Sequence, residues 1–93
     1  MKLLTTDQLA EQLSRHPRWL QKNDHITQVF RFDNFMQAMG FVNQVALLAE
    51  KAEHHPDILI QYSHVTLTLT THSQAGITDN DFHLATQIDR LIA

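Results

Sequence analysis

From Val65 to Thr71 apolar and hydroxyl residues alternate strictly: Val65, Leu67 and Leu69 point one way, Thr66, Thr68 and Thr70 the other. Period-two alternation of this kind predicts a strand with one face on a core and one facing water or a ligand. Ile58–Tyr62 just before it reads as a third strand. Nearer the N-terminus, Trp19–Gln21 and His25–Phe32 read as the first two strands, separated by the turn signal Lys22-Asn23-Asp24. In the second of these Ile26, Phe30 and Phe32 share a face, and Gln28 interrupts it.

The helical segments carry a 3.6-residue period. Thr6 to about Ser14 is predicted helical, with Thr5 and Gln8 at capping-box spacing, Leu9 and Leu13 one turn apart, and Pro17 as a stop. A long helix starts behind Asp33 or Asn34 and runs to about Glu53, where Pro56 prevents continuation. Its predicted core stripe is Phe35, Met39, Val42, Val45, Ala46 and Ala49; Phe41, Leu47 and Leu48 fall on the remaining face. A helix apolar on more than one face is deeply buried or sits at a subunit contact. The last helix begins with a second capping box, Thr78-x-x-Asp81, and presents Phe82, Ala85, Ile88 and Ile92. The order α-β-β-α-β-β-α predicts an α+β fold, with helices on one face of a four-stranded antiparallel sheet.

Composition narrows the class. With 93 residues the chain (1–93) is expected to form one domain, and so small a domain has a thin stability margin that self-association would help. The net charge of -3 and the scattered seven Lys and Arg argue against a nucleic-acid surface. With no cysteine, neither a disulfide nor a thiolate metal site can form. No apolar run reaches bilayer-spanning length and no signal-peptide core precedes Thr5, so a cytoplasmic location is expected.

Seven histidines are many for this length. His16, His25, His64 and His83 fall in loops or at element starts and read as surface residues. His54 and His55 stand together where the long helix stops, a place favourable to imidazole because of the helix dipole. His72 ends the alternating strand, just before the loop Ser73-Gln74-Ala75-Gly76, and the three can converge on one pocket. Two chemistries suit such a set: acid–base transfer near neutrality, or a zinc centre. Adjacent histidines project about 100° apart on a helix, which is awkward for zinc, and the i, i+4 spacing is missing there. Glu50 and Glu53 read as solvated helix carboxylates, and Asp81 as the third residue of its capping box.

The run Glu50-Lys51-x-x-His54-His55-Pro56, followed by Tyr62, Thr71-His72, Ala75-Gly76 and Asp81, resembles the signature of the pterin-4a-carbinolamine dehydratase family. The similarity extends upstream through Val45-Ala46-Leu47, Gly40-Phe41 and Phe35 to Trp19. The resemblance implies an enzyme that removes water from 4a-hydroxytetrahydrobiopterin to give quinonoid dihydropterin, with no metal or redox cofactor. It implies His54, His55 and His72 as catalytic residues, with Glu53, Pro56, Asp57 and Asp81 toward substrate. Glu53 or Asp57 would hold an imidazole in one tautomer. A homodimer or homotetramer is implied, coupled to an aromatic amino acid hydroxylase; in an animal member the same fold also partners a homeodomain transcription factor. Where family members often carry an aromatic residue two places after the proline, this chain has Ile58, which bears on pterin preference. The competing reading is a non-catalytic binding or assembly module on the same fold, motivated by the extra apolar residues of the long helix.

Overall fold

The computed structural model describes residues 2–93; Met1 lies outside them. Three helices and four strands follow in the expected order: α1 (Thr6–Arg15), β1 (Leu20–Lys22), β2 (His25–Arg31), α2 (Phe35–Ala52), β3 (Asp57–Gln61), β4 (His64–Leu69) and α3 (Asp79–Leu91). The sheet is antiparallel throughout and ordered β1-β2-β4-β3, so the alternating strand β4 lies inside it.

Register explains which side chains reach the core. Ile26 pairs with Leu69, Gln28 with Leu67 and Phe30 with Val65, while Ile58 and Ile60 of β3 oppose Leu67 and Val65 from the other side. Val65, Leu67 and Leu69 are fully buried; the threonines between them are half-buried on the opposite face. Gln28 sits on the inward face and is only 7% exposed. Its Nε2 donates to Asp89 Oδ1 of α3 at 3.1 Å, and Trp19 Nε1 donates to Asp89 Oδ2 at 3.1 Å. The polar interruption in β2 is therefore a paired group, as burial requires. Rings extend the core from there: Trp19 meets Phe30 at 6.0 Å, Phe30 meets Phe41 at 4.8 Å, and Phe32 meets Phe41 at 5.0 Å.

Both hairpins close over two residues, Asn23-Asp24 and Tyr62-Ser63, and the first of each pair has positive φ. Asparagine tolerates that conformation; tyrosine does so less readily. Both capping boxes form as the spacing predicts, at Thr5/Gln8 and at Thr78/Asp81, and Asn34 caps α2 by accepting from Gln37 N.

The stripe of α2 differs from the periodic expectation. Ala38, Phe41, Val45 and Ala49 are buried, with Val42 and Leu48 packed against them, while Phe35 and Ala46 face outward. Phe41 is drawn in by the rings of β2, which rotates the buried face away from Phe35. Leu47, 74% exposed, then remains outside with Phe35 and Met36. In α3 the buried face is Asp81, Phe82, Leu84, Ala85 and Ile88; Ile92 lies past the helix end and is exposed. His16, expected at the surface, is half-buried: it bridges Gln12 O and Thr86 Oγ1, both at 2.8 Å, and lies 5.1 Å from the Phe82 ring. It thereby ties the end of α1 to α3.

Asp89 gathers two donors onto α3, Trp19 just before β1 and Gln28 of β2. Asp89→Ala is expected to cost about 1–3 kcal/mol, because the Trp19 and Gln28 donors lose their acceptor. Urea unfolding checks this: the midpoint should fall with an unchanged slope, and an unchanged midpoint would show that the hub does not contribute.

Candidate active site

The site is built where α2 ends. Glu53 takes a left-handed conformation, with φ 52°, and its N–H donates back to Ala49 and Glu50 carbonyls. His54 N donates to Ala49 O at 3.1 Å. This is the 6→1 closure that ends many helices, usually with glycine in the left-handed position. The chain reverses there, so His54 and His55 fold back past the last turn of α2 instead of extending it.

The reversal gives the two histidines different partners. His54 Nε2 lies 2.5 Å from Asp81 Oδ1, with the His54 side chain 12% exposed and the Asp81 side chain fully buried. His55 Nε2 pairs with Glu50, one turn back along α2, and both groups stand in solvent. The carboxylates that hold the imidazoles are thus Asp81 and Glu50, not Glu53 or Asp57. A helical Glu50 lies beneath the returning chain, whereas Glu53 is itself the turning residue.

Asp81 is the most connected side chain of the region. Its Oδ2 accepts from Thr78 N–H and from Thr71 Oγ1–H, both at 2.9 Å, and Thr71 Oγ1 lies 2.8 Å from Thr78 Oγ1. Expected among the substrate contacts, Asp81 is instead enclosed, with both oxygens engaged by protein donors. Thr71 reaches it because 71 continues the inward parity of 65, 67 and 69 beyond the end of β4. His72 follows on an exposed 3₁₀ turn, His72–Gln74, closed by Thr71 N donating to Gly76 O at 2.8 Å. The N-terminal segment clasps the far side of this loop: Leu4 N donates to Ile77 O at 3.0 Å and Leu3 bridges to Thr78. Glu53 and Asp57 are exposed and Pro56 is half-buried.

His54 also lines a cavity of about 270 Å³ with Ala52, Asn80, His83, Leu84 and Gln87. Asn80, His83 and Gln87 repeat at helical spacing along α3 and were not singled out for the site by the sequence pattern; the signal available was that Asp81 opens the same helix. A larger hollow of about 400 Å³ beside β2 is walled by residues such as Arg18, Val29, Arg31 and Phe32, with no carboxylate or imidazole in its lining. Among the described residues, no three His, Asp, Glu or Cys side chains are grouped to hold a metal ion, and no helix is long and apolar enough to cross a membrane.

These features define a class: small α-β-β-α-β-β-α proteins with a carboxylate-braced histidine at the end of the long helix. Comparison with known proteins makes the class specific. The family model for pterin 4 alpha carbinolamine dehydratase matches residues 2–91, and the chain belongs to that family. It is 48% identical over 92 residues to a Chloroflexus aurantiacus protein named "Putative pterin-4-alpha-carbinolamine dehydratase", covering 99% of each chain. A Sulfurisphaera tokodaii protein of the same name is 41% identical, again with 99% of each covered. The solved structure of a transcriptional coactivator/pterin dehydratase from Brucella melitensis superposes with a TM-score of 0.94 at 35% identity, covering 99% of this chain and 100% of that one. A pterin dehydratase-like protein described as a RuBisCO assembly factor of the alpha-carboxysome shares the fold, with a TM-score of 0.66 at 24% identity over 80% of this chain and 86% of that one.

Glu53→Gly tests the turn that delivers His54. Relief of the left-handed Cβ contact outweighs the added chain entropy of glycine, so stability should rise by about 0.5–1 kcal/mol. Thermal unfolding reads the change. A fall in melting temperature would mean that the Glu53 side chain itself supports the turn.

Proposed function

We propose that the protein catalyses dehydration of a 4a-hydroxytetrahydropterin to the quinonoid dihydropterin, with His54 as the principal proton-transfer group. The observation that carries this reading is the His54–Asp81 pair: an imidazole at the edge of a cavity, braced from behind by a buried carboxylate. Membership of the dehydratase family supplies the substrate class.

The reaction breaks the C4a–O bond and the N5–H bond and forms the C4a=N5 double bond. A base takes the N5 proton, an acid delivers a proton to the departing hydroxyl, and water leaves. A neutral imidazole that donates through Nε2 keeps a lone pair on Nδ1, so His54 is equipped to take the proton. The positive ring so formed faces the Asp81 carboxylate, an arrangement that strengthens the hydrogen bond between them. His55 and His72 stand in solvent close along the chain to the same hub and are assigned to substrate orientation and to protonation of the hydroxyl. The exposed carboxylates Glu53 and Asp57, and Pro56 beside them, are assigned to the substrate's outer edge. Ile58 offers the substrate less aromatic surface than family members often do, which favours a different pterin preference. We place the reaction in pterin recycling beside an aromatic amino acid hydroxylase, in the cytoplasm, and the enzyme in a homo-oligomer.

A second reading has its own observation. Phe35, Met36 and Leu47 leave α2 with exposed apolar side chains, and Leu59 and Tyr62 do the same at the β3 edge. A surface of that kind suits an assembly or dimerisation module.

Turnover decides between the two. Freshly generated 4a-hydroxytetrahydropterin should dehydrate faster with the protein than without it, and His54→Ala should lower kcat by roughly 10²–10⁴-fold, the usual worth of a positioned acid or base. His55→Ala and His72→Ala should each lose activity while remaining folded by circular dichroism. A folded wild-type protein that gives only the spontaneous rate would transfer the assignment to the assembly module.

A further inference from the structure

We infer that Thr71 and Thr78 are positioning residues: their two hydroxyls form a one-way relay into Asp81 that sets which nitrogen of His54 carries the proton. The catalytic consequence rests on the dehydratase reading above; the tautomer does not.

The direction of the relay follows from counting hydrogens. A threonine hydroxyl has one hydrogen to give and lone pairs to receive. Thr71 Oγ1 gives its hydrogen to Asp81 Oδ2 at 2.9 Å, so in the 2.8 Å contact with Thr78 it must accept. Thr78 Oγ1 therefore donates to Thr71, and itself accepts from Asn80 N–H at 3.3 Å. The chain runs from amide to hydroxyl to hydroxyl to carboxylate. The backbone N–H of Thr78 adds a second donor to Oδ2 at 2.9 Å. Two donors of fixed direction occupy Oδ2; as a carboxylate Asp81 accepts at Oδ1 too, so the proton shared with His54 belongs to Nε2. Nδ1 is then the nitrogen with the lone pair.

A helix cap does not account for Thr71. The capping box of α3 needs only the Thr78 hydroxyl and the Asp81 carboxylate. Thr71 belongs to the strand side, on the inward parity whose three preceding members are fully buried aliphatics. A buried hydroxyl there costs free energy unless it is paired, and its pairing is to the carboxylate that holds His54. The same residue closes the turn that begins with His72, through Thr71 N to Gly76 O. One residue thus couples the placement of His72, through its backbone, to the orientation of His54, through its side chain.

The test is ¹⁵N NMR of the histidine-labelled full chain, read beside turnover. In wild type, His54 is expected as the Nε2–H tautomer with Nδ1 unprotonated. Thr71→Val keeps the side-chain shape and removes the donor; it should yield mixed tautomers and a roughly 10- to 100-fold lower kcat with little change in KM. Thr71→Ser restores the hydroxyl and should restore both readings. If Thr71→Val does not fold, Thr71→Ala removes the same donor from Asp81 Oδ2 and should give the same mixed tautomers. A wild-type Nδ1–H tautomer, or a folded relay variant with the wild-type tautomer, overturns the inference. The expected tautomers in a protein without dehydratase turnover would leave the relay standing and remove the dehydratase reading.

Discussion

Asp81 is fully enclosed, yet it holds together parts of the chain that are distant in sequence. Its carboxylate closes the cap of α3, receives the end of the β4 strand through Thr71, and meets the end of α2 through His54. A carboxylate removed from water must be matched by donors, and here each donor comes from a different structural element. The constraint works in both directions. The fold must bring three element ends to one point to satisfy the charge, and the charge in turn fixes the ends to one another. The histidine at the cavity edge inherits its orientation from this arrangement.

The rest of the architecture serves that convergence. β4 lies inside the sheet, so its C-terminal end is carried under the start of α3. The left-handed turn at Glu53 folds the chain back after α2 and keeps His54 within reach of α3. A second polar hub, Asp89, performs the equivalent task about two turns along the same helix, where it fastens Trp19, just before β1, and Gln28 of β2. Of the three acidic residues of α3, Asp79 is exposed, while Asp81 and Asp89 are each paired across elements. The aromatic chain Trp19–Phe30–Phe41 extends the core from the Asp89 hub.

Exposed apolar residues mark what this single chain leaves uncovered. Phe35, Met36 and Leu47 on α2, and Leu59 on β3, remain in solvent although the periodic pattern of α2 is strong. A chain of this size gains stability from covering such surface. This feature keeps the assembly reading alongside the catalytic one.

The strand alternation, both capping boxes and the proline after His55 determined the element order and most boundaries, because each rests on interactions among residues a few positions apart. The parity of Val65, Leu67 and Leu69 even implied the inward direction of Thr71. The family signature likewise picked out His54, His55 and His72 as residues, since it depends on spacing along the chain. What only the tertiary structure decided were the partners: Gln28 with Asp89, His16 with Thr86, His54 with Asp81, and the turn of the α2 stripe toward Phe41 rather than Phe35. Local sequence carries helix and strand periods, but a hydrogen bond between residues 27 positions apart depends on how whole elements dock. No short-range pattern could tell that the third residue of a helix cap would use its other oxygen to brace a histidine from the helix before it.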